Sequence, residues 1–551
     1  MSDRSGLLGS SAVMAAGTVV SRLSGFVRTG LLIAALGNGL RGDVFNVANT
    51  IPNMLYILLA GGIFNAVLVP QLVRAGKNDP DGGAAYTDRI ITLAGLFLAA
   101  VSVLLVLIAP LLLRLYLAPA YYQPERAAAL ESVIDFARLC LPQVFFYGMF
   151  VLVGQVLNAR GRFGPMMWAP IANNVVAVAM LTLYLLTYGP ANSVELAGGY
   201  SIGQEWLLGL GSTLGIAIQL VVLVPYLRSA GVHFRPRFDF RDSGLGHTLR
   251  LGLWTVLFVV VNQLTYLVVV NRASTGPAAG GGADATGYTV YGTAFLIVMV
   301  PHSVITVSLA TAVLPRLSAY AAEHDHASLA RSLGMALRNA LVVIVPFAVL
   351  LPFVARDVAH LLFSFGAGRT TYGNFTSPLS LFGFGLVFFT IHYLTLRGFY
   401  ALERTRTIFW VQCVIGAINA TLAIVLVASS SPAHTVPALV IAYTISYAVG
   451  ASVSWRLLHR VLGVSPGGEL LGFLRRLLSA VAVTAAVTAL AWWGLRGLGA
   501  DPSYGLALVR AAALTVVAVL TFVLMARALR VREVTDVLEL LTRRLPTRKG
   551  A

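Results

Sequence analysis

Hydrophobic positions in this chain come in long unbroken runs and not in amphipathic alternation. About fourteen runs of roughly 20 to 30 residues lie near 9–36, 43–73, 88–116, 129–158, 166–188, 200–228, 249–271, 288–320, 334–355, 377–400, 407–429, 436–458, 473–495 and 505–528. That length suits a hydrocarbon core about 30 Å thick. Polar residues gather in short segments between the runs. The pattern predicts an all-α polytopic membrane protein of about 14 transmembrane helices. The first run begins after Arg4 and lacks an A-x-A-like cleavage site. It is expected to be an uncleaved anchor.

Composition agrees. Of 551 residues, 58% are hydrophobic and 11% charged, and the mean hydropathy is +0.81. A soluble domain is about 25% charged, so a string of water-soluble domains is excluded. The net charge is +17, and its placement decides what it means. With the N-terminus inside, 28 of the 39 Lys and Arg fall on inner segments and nine on outer ones, including Arg41, Arg126 and Arg510. The positive-inside rule then puts both termini in the cytoplasm. Most of the charge sets topology and meets anionic lipid heads, so no nucleic-acid partner is expected. Cys140 and Cys413 show no Cys-x-x-Cys spacing, and neither a metal site nor a disulfide framework is expected.

The runs repeat. Ala66-Val67-Leu68-Val69-Pro70-Gln71-Leu72 ends the second and Thr311-Ala312-Val313-Leu314-Pro315-Arg316-Leu317 the eighth, their prolines 245 positions apart. Asn158-Ala159-Arg160-Gly161-Arg162 and Glu403-Arg404-Thr405-Arg406 follow the fourth and tenth at an offset of 244. Six spans per copy give two lobes in parallel repeat, an arrangement that transporters use with the substrate site between halves. The expected division is an N-lobe at 1–230, a C-lobe at 231–465, two extra C-terminal helices at 466–530 and a basic cytoplasmic tail at 531–551. Val531, Val534, Leu538 and Leu541 at helical spacing suggest that the tail lies on the inner surface. The glycine-rich stretch 276–287 lacks a Gly-Lys-Ser/Thr ending. It reads as a flexible outer loop and not a phosphate-binding loop.

Two cations remain inside the membrane, Arg22 and Arg28, where each costs roughly 2.5–3.5 kcal/mol on insertion scales. At about 100° per residue, Ser21, Arg22, Ser24, Gly25 and Arg28 share half of the first helix. On the second span Asp43, Asn46, Asn49 and Asn53 share a stripe about 120° wide, and Pro52 predicts a bend there. Arg22 could pair with Asp43, and the asparagines could bond helix to helix. Yet two buried cations with at most one nearby acid leave an electropositive cavity. Arginine suits phosphate through its forked donors.

These residues resemble a known family. Ser21-Arg22-x-x-Gly25-Phe26-x-Arg28, then Asp43-x-Phe45, Pro52-Asn53, Gly62-x-Phe64 and Val69-Pro70 look like the opening of the MurJ/MviN proteins. These are the lipid II flippases of bacterial cell-wall synthesis, in the multidrug/oligosaccharidyl-lipid/polysaccharide superfamily. The resemblance implies two six-helix lobes around a V-shaped cavity, plus two helices forming a hydrophobic groove. It implies that Arg22 and Arg28 bind substrate, with Asn49 and Asn53 beside them. Ser21, Gly25, Asp43, Pro52 and Tyr56 would shape the cavity and its gating. The chain departs from the pattern at Tyr56, where the family often has Arg, and at Gly61, where it has Glu. On span 8, Phe295, Leu296 and Met299 replace a charged cluster, with His302 the nearest titratable group.

The resemblance implies a non-enzymatic flippase of lipid II, a polyprenyl-diphosphate-linked muropeptide. It would work in the bacterial cytoplasmic membrane, by alternating access and without a cofactor. Membrane lipids and other cell-wall synthesis or division proteins are candidate partners. The alternatives are an exporter of another polyprenyl-diphosphate-linked oligosaccharide and a drug exporter, although a cation-drug exporter would want cavity acids. A membrane glycosyltransferase would need paired carboxylates or a metal. Glu125, Glu131, Asp135, Glu195, Asp284 and Asp357 show no paired spacing, and His324-x-His326 is a weak metal pattern.

Overall fold

The structure is a computed structural model. It describes residues 2–58, 71–72, 75, 81–192, 195, 199–239, 245–280, 282–464, 467–495, 497 and 503–534. Among these there is helix and no strand. Gly61, Gly62, Phe64, Val69 and Pro70 of the second-span motif lie outside the described residues, as do Leu538, Leu541 and the rest of the tail beyond Val534.

The chain divides into two compact units. The first comprises Met1–Thr289 with Phe365–Thr371 and Ser431–Thr435; the second comprises Val290–Ser364, Tyr372–Ser430 and Val436–Ala551. In the first unit the main helices are α1 (Ser2–Leu36), α2 (Leu40–Ile57), α3 (Ala84–Leu107), α4 (Ala109–Tyr116), α5 (Ala127–Cys140), α6 (Gln143–Ala159), α7 (Gly164–Tyr188), α8 (Ile202–Val221), α9 (Leu223–Ser229) and α10 (Leu245–Ala273). α1 packs on α7 and α7 on α8, while α2 packs on α5 and α6. The predicted fourth span is broken at Leu141-Pro142 into α5 and α6.

The second unit holds α11 (Tyr288–Pro301, from its third residue), α12 (Val307–Ala322), α13 (His326–Phe363), α14 (Thr376–Ala401), α15 (Thr405–Ala428), α16 (Thr435–Leu462, from its second residue), α17 (Gly467–Leu495) and α18 (Tyr504–Ala528). α13 is its centre and packs on α12, α14, α17 and α18. A π-helical turn, His302–Thr306, joins α11 to α12 after Pro301.

Twelve helical stretches among the described residues are long and apolar enough to cross a membrane, and they match predicted spans three to fourteen. Predicted spans one and two overlap α1 and α2, which are not among the twelve; α2 is described only to Ile57, and these helices carry Arg22, Arg28, Arg41 and Asp43. The interior is apolar, as in a soluble fold, but so is much of the surface. Leu186 is 81% exposed, Ile202 74% and Trp493 73%, whereas Arg41, Asp43 and Gln143 are buried. Lipid, which does not penalise exposed leucine, is the solvent that fits. Where helices touch, a small residue often sits at the crossing. A Cβ at Gly209 would stand 2.7 Å from Leu139, and one at Gly383 2.9 Å from the Ala348 carbonyl oxygen.

Two cations expected in outer segments are inside the protein. Arg41 is 1% exposed, and among the described residues it forms no salt bridge. It donates to the carbonyls of Gly199 (2.9 Å) and Glu195 (3.3 Å), to Gln204 Oε1 (2.8 Å) and to Tyr184 Oη (3.1 Å). Its guanidinium lies 4.0 Å over the Tyr200 ring. In the second unit Arg510 of α18 forks onto Asp357 of α13, its Nε at 2.8 and 3.0 Å from the two carboxylate oxygens. The glycine-rich stretch also differs from a free loop. Thr275–Ala278 form a short helix with Gly276, Pro277 and Ala278 buried, and Thr286 N–H donates to the Pro432 carbonyl at 3.0 Å.

Candidate functional site

The residues singled out by sequence lie on α1 and α2 of the first unit. α1 is one continuous helix through Ser21–Arg28, and Leu23 (60% exposed) and Val27 (54% exposed) mark its apolar side. Ser21, Ser24 and Gly25 face α7. Asn174 Nδ2 donates to the Ser21 carbonyl and to Ser24 Oγ, both at 2.9 Å, and lies 3.8 Å from where a Gly25 Cβ would be. This part of the polar face is a helix–helix seam. A methyl group at Gly25 would rest in ordinary contact with the asparagine.

Arg22 and Arg28 are half-buried, and neither has a salt-bridge partner among the described residues. Arg28 is close enough to Tyr147 and Cys140 to interact with both electrostatically. Tyr147 of α6 stacks on Tyr56 of α2, ring centroids 4.7 Å apart at 34°. Tyr147 thus links Tyr56 on one side to Arg28 on the other. Neither tyrosine is a carboxylate, and among the described residues no carboxylate forms a salt bridge with this guanidinium.

The acid nearest in sequence is committed elsewhere. Asp43 accepts the backbone N–H groups of Tyr288 and Thr289, each at 2.7 Å. These are orphan donors of the first turn of α11, which a carboxylate satisfies well. A Cβ on Gly287 would collide with Asp43 Oδ2, so glycine is required for this approach. The rest of the stripe follows. Asn46 Nδ2 donates to Thr289 Oγ1 at 3.0 Å, and Thr50 Oγ1 to Tyr288 Oη at 2.6 Å. Gln143 Nε2 donates to Asn49 Oδ1 at 3.0 Å. Asn53 is exposed, one residue after Pro52 inside α2.

The structure thus pairs Tyr56 with Tyr147 and Tyr147 with Arg28, and ties Asp43, Asn46 and Thr50 to Tyr288 and Thr289. It places Arg22 with no salt-bridge partner on the same helix as Arg28. Sequence reasoning missed Gln143, Tyr147, Asn174 and Thr289. The polar pair Asn173-Asn174 inside a predicted span and Gln143 directly after Pro142 were available signals. Among the described residues no group of three or more His, Cys, Asp or Glu is arranged to hold a metal ion. His324 and His326 lie near the backbone carbonyls of Ala322 and Leu462.

Helices this long and apolar mark a multi-pass membrane protein, and its fold is shared with solved membrane transporters. The structure matches an inward-facing multidrug resistance MATE family transporter of the MOP superfamily, with a TM-score of 0.60 and 16% identity, over 81% of this chain and 96% of that one. It matches a lipid II flippase MurJ in an inward closed conformation with a TM-score of 0.71 and 17% identity, over 94% and 99% of the two chains. The chain belongs to the lipid II flippase MurJ family, whose profile matches residues 32–510. Among its relatives are the probable lipid II flippases MurJ of Rhizobium tropici and Haemophilus influenzae. The first is 27% identical over 413 residues, 74% of this chain and 73% of that one. The second is 25% identical over 490 residues, 85% and 90%.

Proposed function

We propose that this protein carries lipid II from the inner to the outer leaflet of the cytoplasmic membrane by alternating access. Family membership supports the cargo. The observation that carries the mechanism is that Arg22 and Arg28 have no salt-bridge partner among the described residues while Asp43 is bonded to α11. Uncompensated guanidinium groups in a membrane helix are costly unless a ligand supplies the anion. The diphosphate of lipid II fits their forked donors. The amide donors of Asn49 and Asn53 give hydrogen bonds to acceptor oxygens of the sugar or peptide. Tyr56 and Pro52 shape the cavity, and Ser21 and Gly25 fix α1 against α7.

In this reading the lobes at 1–230 and 231–465 rock about the bound headgroup. The polyprenyl tail stays in lipid along 466–530, and both termini are cytoplasmic. Rescue of a flippase-depleted strain tests it. Arg22→Ala and Arg28→Ala should each fail to rescue, and lysine at either position should rescue in part, since charge survives and the fork does not.

A further inference from the structure

The span-8 positions Phe295, Leu296 and Met299 carry no charge, yet the second unit holds a cation of its own. Arg397 lies on α14, one turn before its end at Ala401. It has no salt-bridge partner among the described residues. Its guanidinium carbon stands 4.3 Å over the Tyr393 ring and 5.5 Å from the Tyr400 centroid. Those tyrosines are its i−4 and i+3 neighbours, on one face of the helix. Its Nε is buried with no hydrogen-bond partner.

Beyond Tyr393 lies His302, 4.8 Å away ring to ring and 5% exposed. It also packs 4.8 Å from Phe389, with Nδ1 at 3.3 Å from Thr390 Oγ1. His302 opens the π-helical turn that ends at Thr306, and the Thr306 hydroxyl is itself buried and unpartnered. π-Turns inside helices are rare and concentrate at functional sites. An arginine that only anchored the helix end at the lipid heads would snorkel outward. Arg397 instead folds back over two rings, which hold the guanidinium plane by cation–π contact. Its terminal donors make no hydrogen bond to a described residue and are free for a forked oxyanion.

We propose that the second unit contains an additional anion site, with Arg397 as its cation and Tyr393 and His302 as its walls, for an oxyanion of the transported headgroup. That oxyanion is the diphosphate or a carboxylate of the attached peptide. The proposal rests on the lipid II reading above.

The test is binding by the full chain in lipid nanodiscs, to lipid II and to a polyprenyl-diphosphate sugar lacking the peptide. Arg397→Gln is expected to weaken lipid II binding about tenfold or more, the usual loss for a charge-assisted bond. Arg397→Lys should recover part of that loss, and Tyr393→Leu should weaken binding with the cation retained. A loss seen with both ligands assigns the diphosphate, and a loss seen with lipid II alone assigns the peptide carboxylate. Either outcome supports the site. If Arg397→Gln misfolds, Arg397→Lys and Tyr393→Leu carry the test. Changes under twofold in every folded variant, with Arg28→Gln still weakening binding, overturn the second site and leave the lipid II reading standing. Failure of the unaltered protein to bind either ligand overturns both.

Discussion

The Asp43 carboxylate and the Thr289 backbone amide are hydrogen-bonded at 2.7 Å, and the other carboxylate oxygen takes the Tyr288 amide at the same distance. An acid that sequence reading offered as a partner for Arg22 is in fact a helix cap. Asp43→Ala removes two charge-assisted bonds and should cost about 1–3 kcal/mol. Asp43→Asn keeps one acceptor and should cost about half as much. Gly287→Ala, which pushes a methyl into the same carboxylate, should lower the melting temperature without touching the charge. Thermal melting in detergent gives the order, and an Asp43→Ala protein that melts like the parent would refute the cap.

Arg41 makes a second prediction. Four hydrogen bonds and a 4.0 Å stack on Tyr200 hold a fully buried guanidinium. A lysine ammonium cannot span four acceptors from one point. Arg41→Lys should destabilise by about 2–4 kcal/mol, because buried acceptors lose their donor. Protease resistance of the folded protein should fall accordingly, whereas a substitution at exposed Arg162 should leave it unchanged.

The pair Asp357–Arg510 ties α18 to α13, with side chains 2% and 9% exposed. Breaking one partner strands a buried charge and should cost about 3–5 kcal/mol, whereas removing both can be neutral. Asp357→Leu and Arg510→Met should each lower the melting temperature, and the double variant should recover most of the loss. A double variant as unstable as the sum of the singles would contradict the pairing.

Asp239 lies on the linker after α9, and Arg89 Nη2 donates to it at 2.6 Å. That hydrogen bond, with the guanidinium charge behind it, holds the Asp239 carboxyl below its ordinary value. A depressed carboxylate stabilises the fold above its unfolded pKa, and the contribution is lost as pH falls through the folded value. Hydrogen exchange of residues 232–239, corrected for intrinsic rates, should therefore quicken on acidification below about pH 4. Arg89→Gln should already show the faster exchange at pH 7.

The apolar runs made the helices legible, because a bilayer leaves the backbone few other ways to satisfy its hydrogen bonds. The cations of α1 were legible because charge is scarce there, so Arg22 and Arg28 stood out against Leu23 and Val27. What could not be read was the destination of each polar group. Asp43 finds Thr289, 246 positions away, and Asn174 finds Ser21, 153 away; no local spacing announces such partners. Arg41 and Arg510 looked like topological cations because charge counting takes no account of burial. The break at Leu141-Pro142 falls inside one long apolar run and is marked locally by Pro142 and Gln143.

The central claim is that the α1 cations hold the anion of a lipid-linked cargo. The most direct measurement follows lipid II in cells where this protein is the sole flippase, by labelling the fraction reachable from outside. With the parent protein that fraction should be sustained. With Arg28→Gln, expressed and folded to the same level, lipid II should accumulate on the inner leaflet and the outer fraction should collapse, with Arg28→Lys between the two. An outer fraction undiminished in both Arg28→Gln and Arg22→Gln would contradict the account.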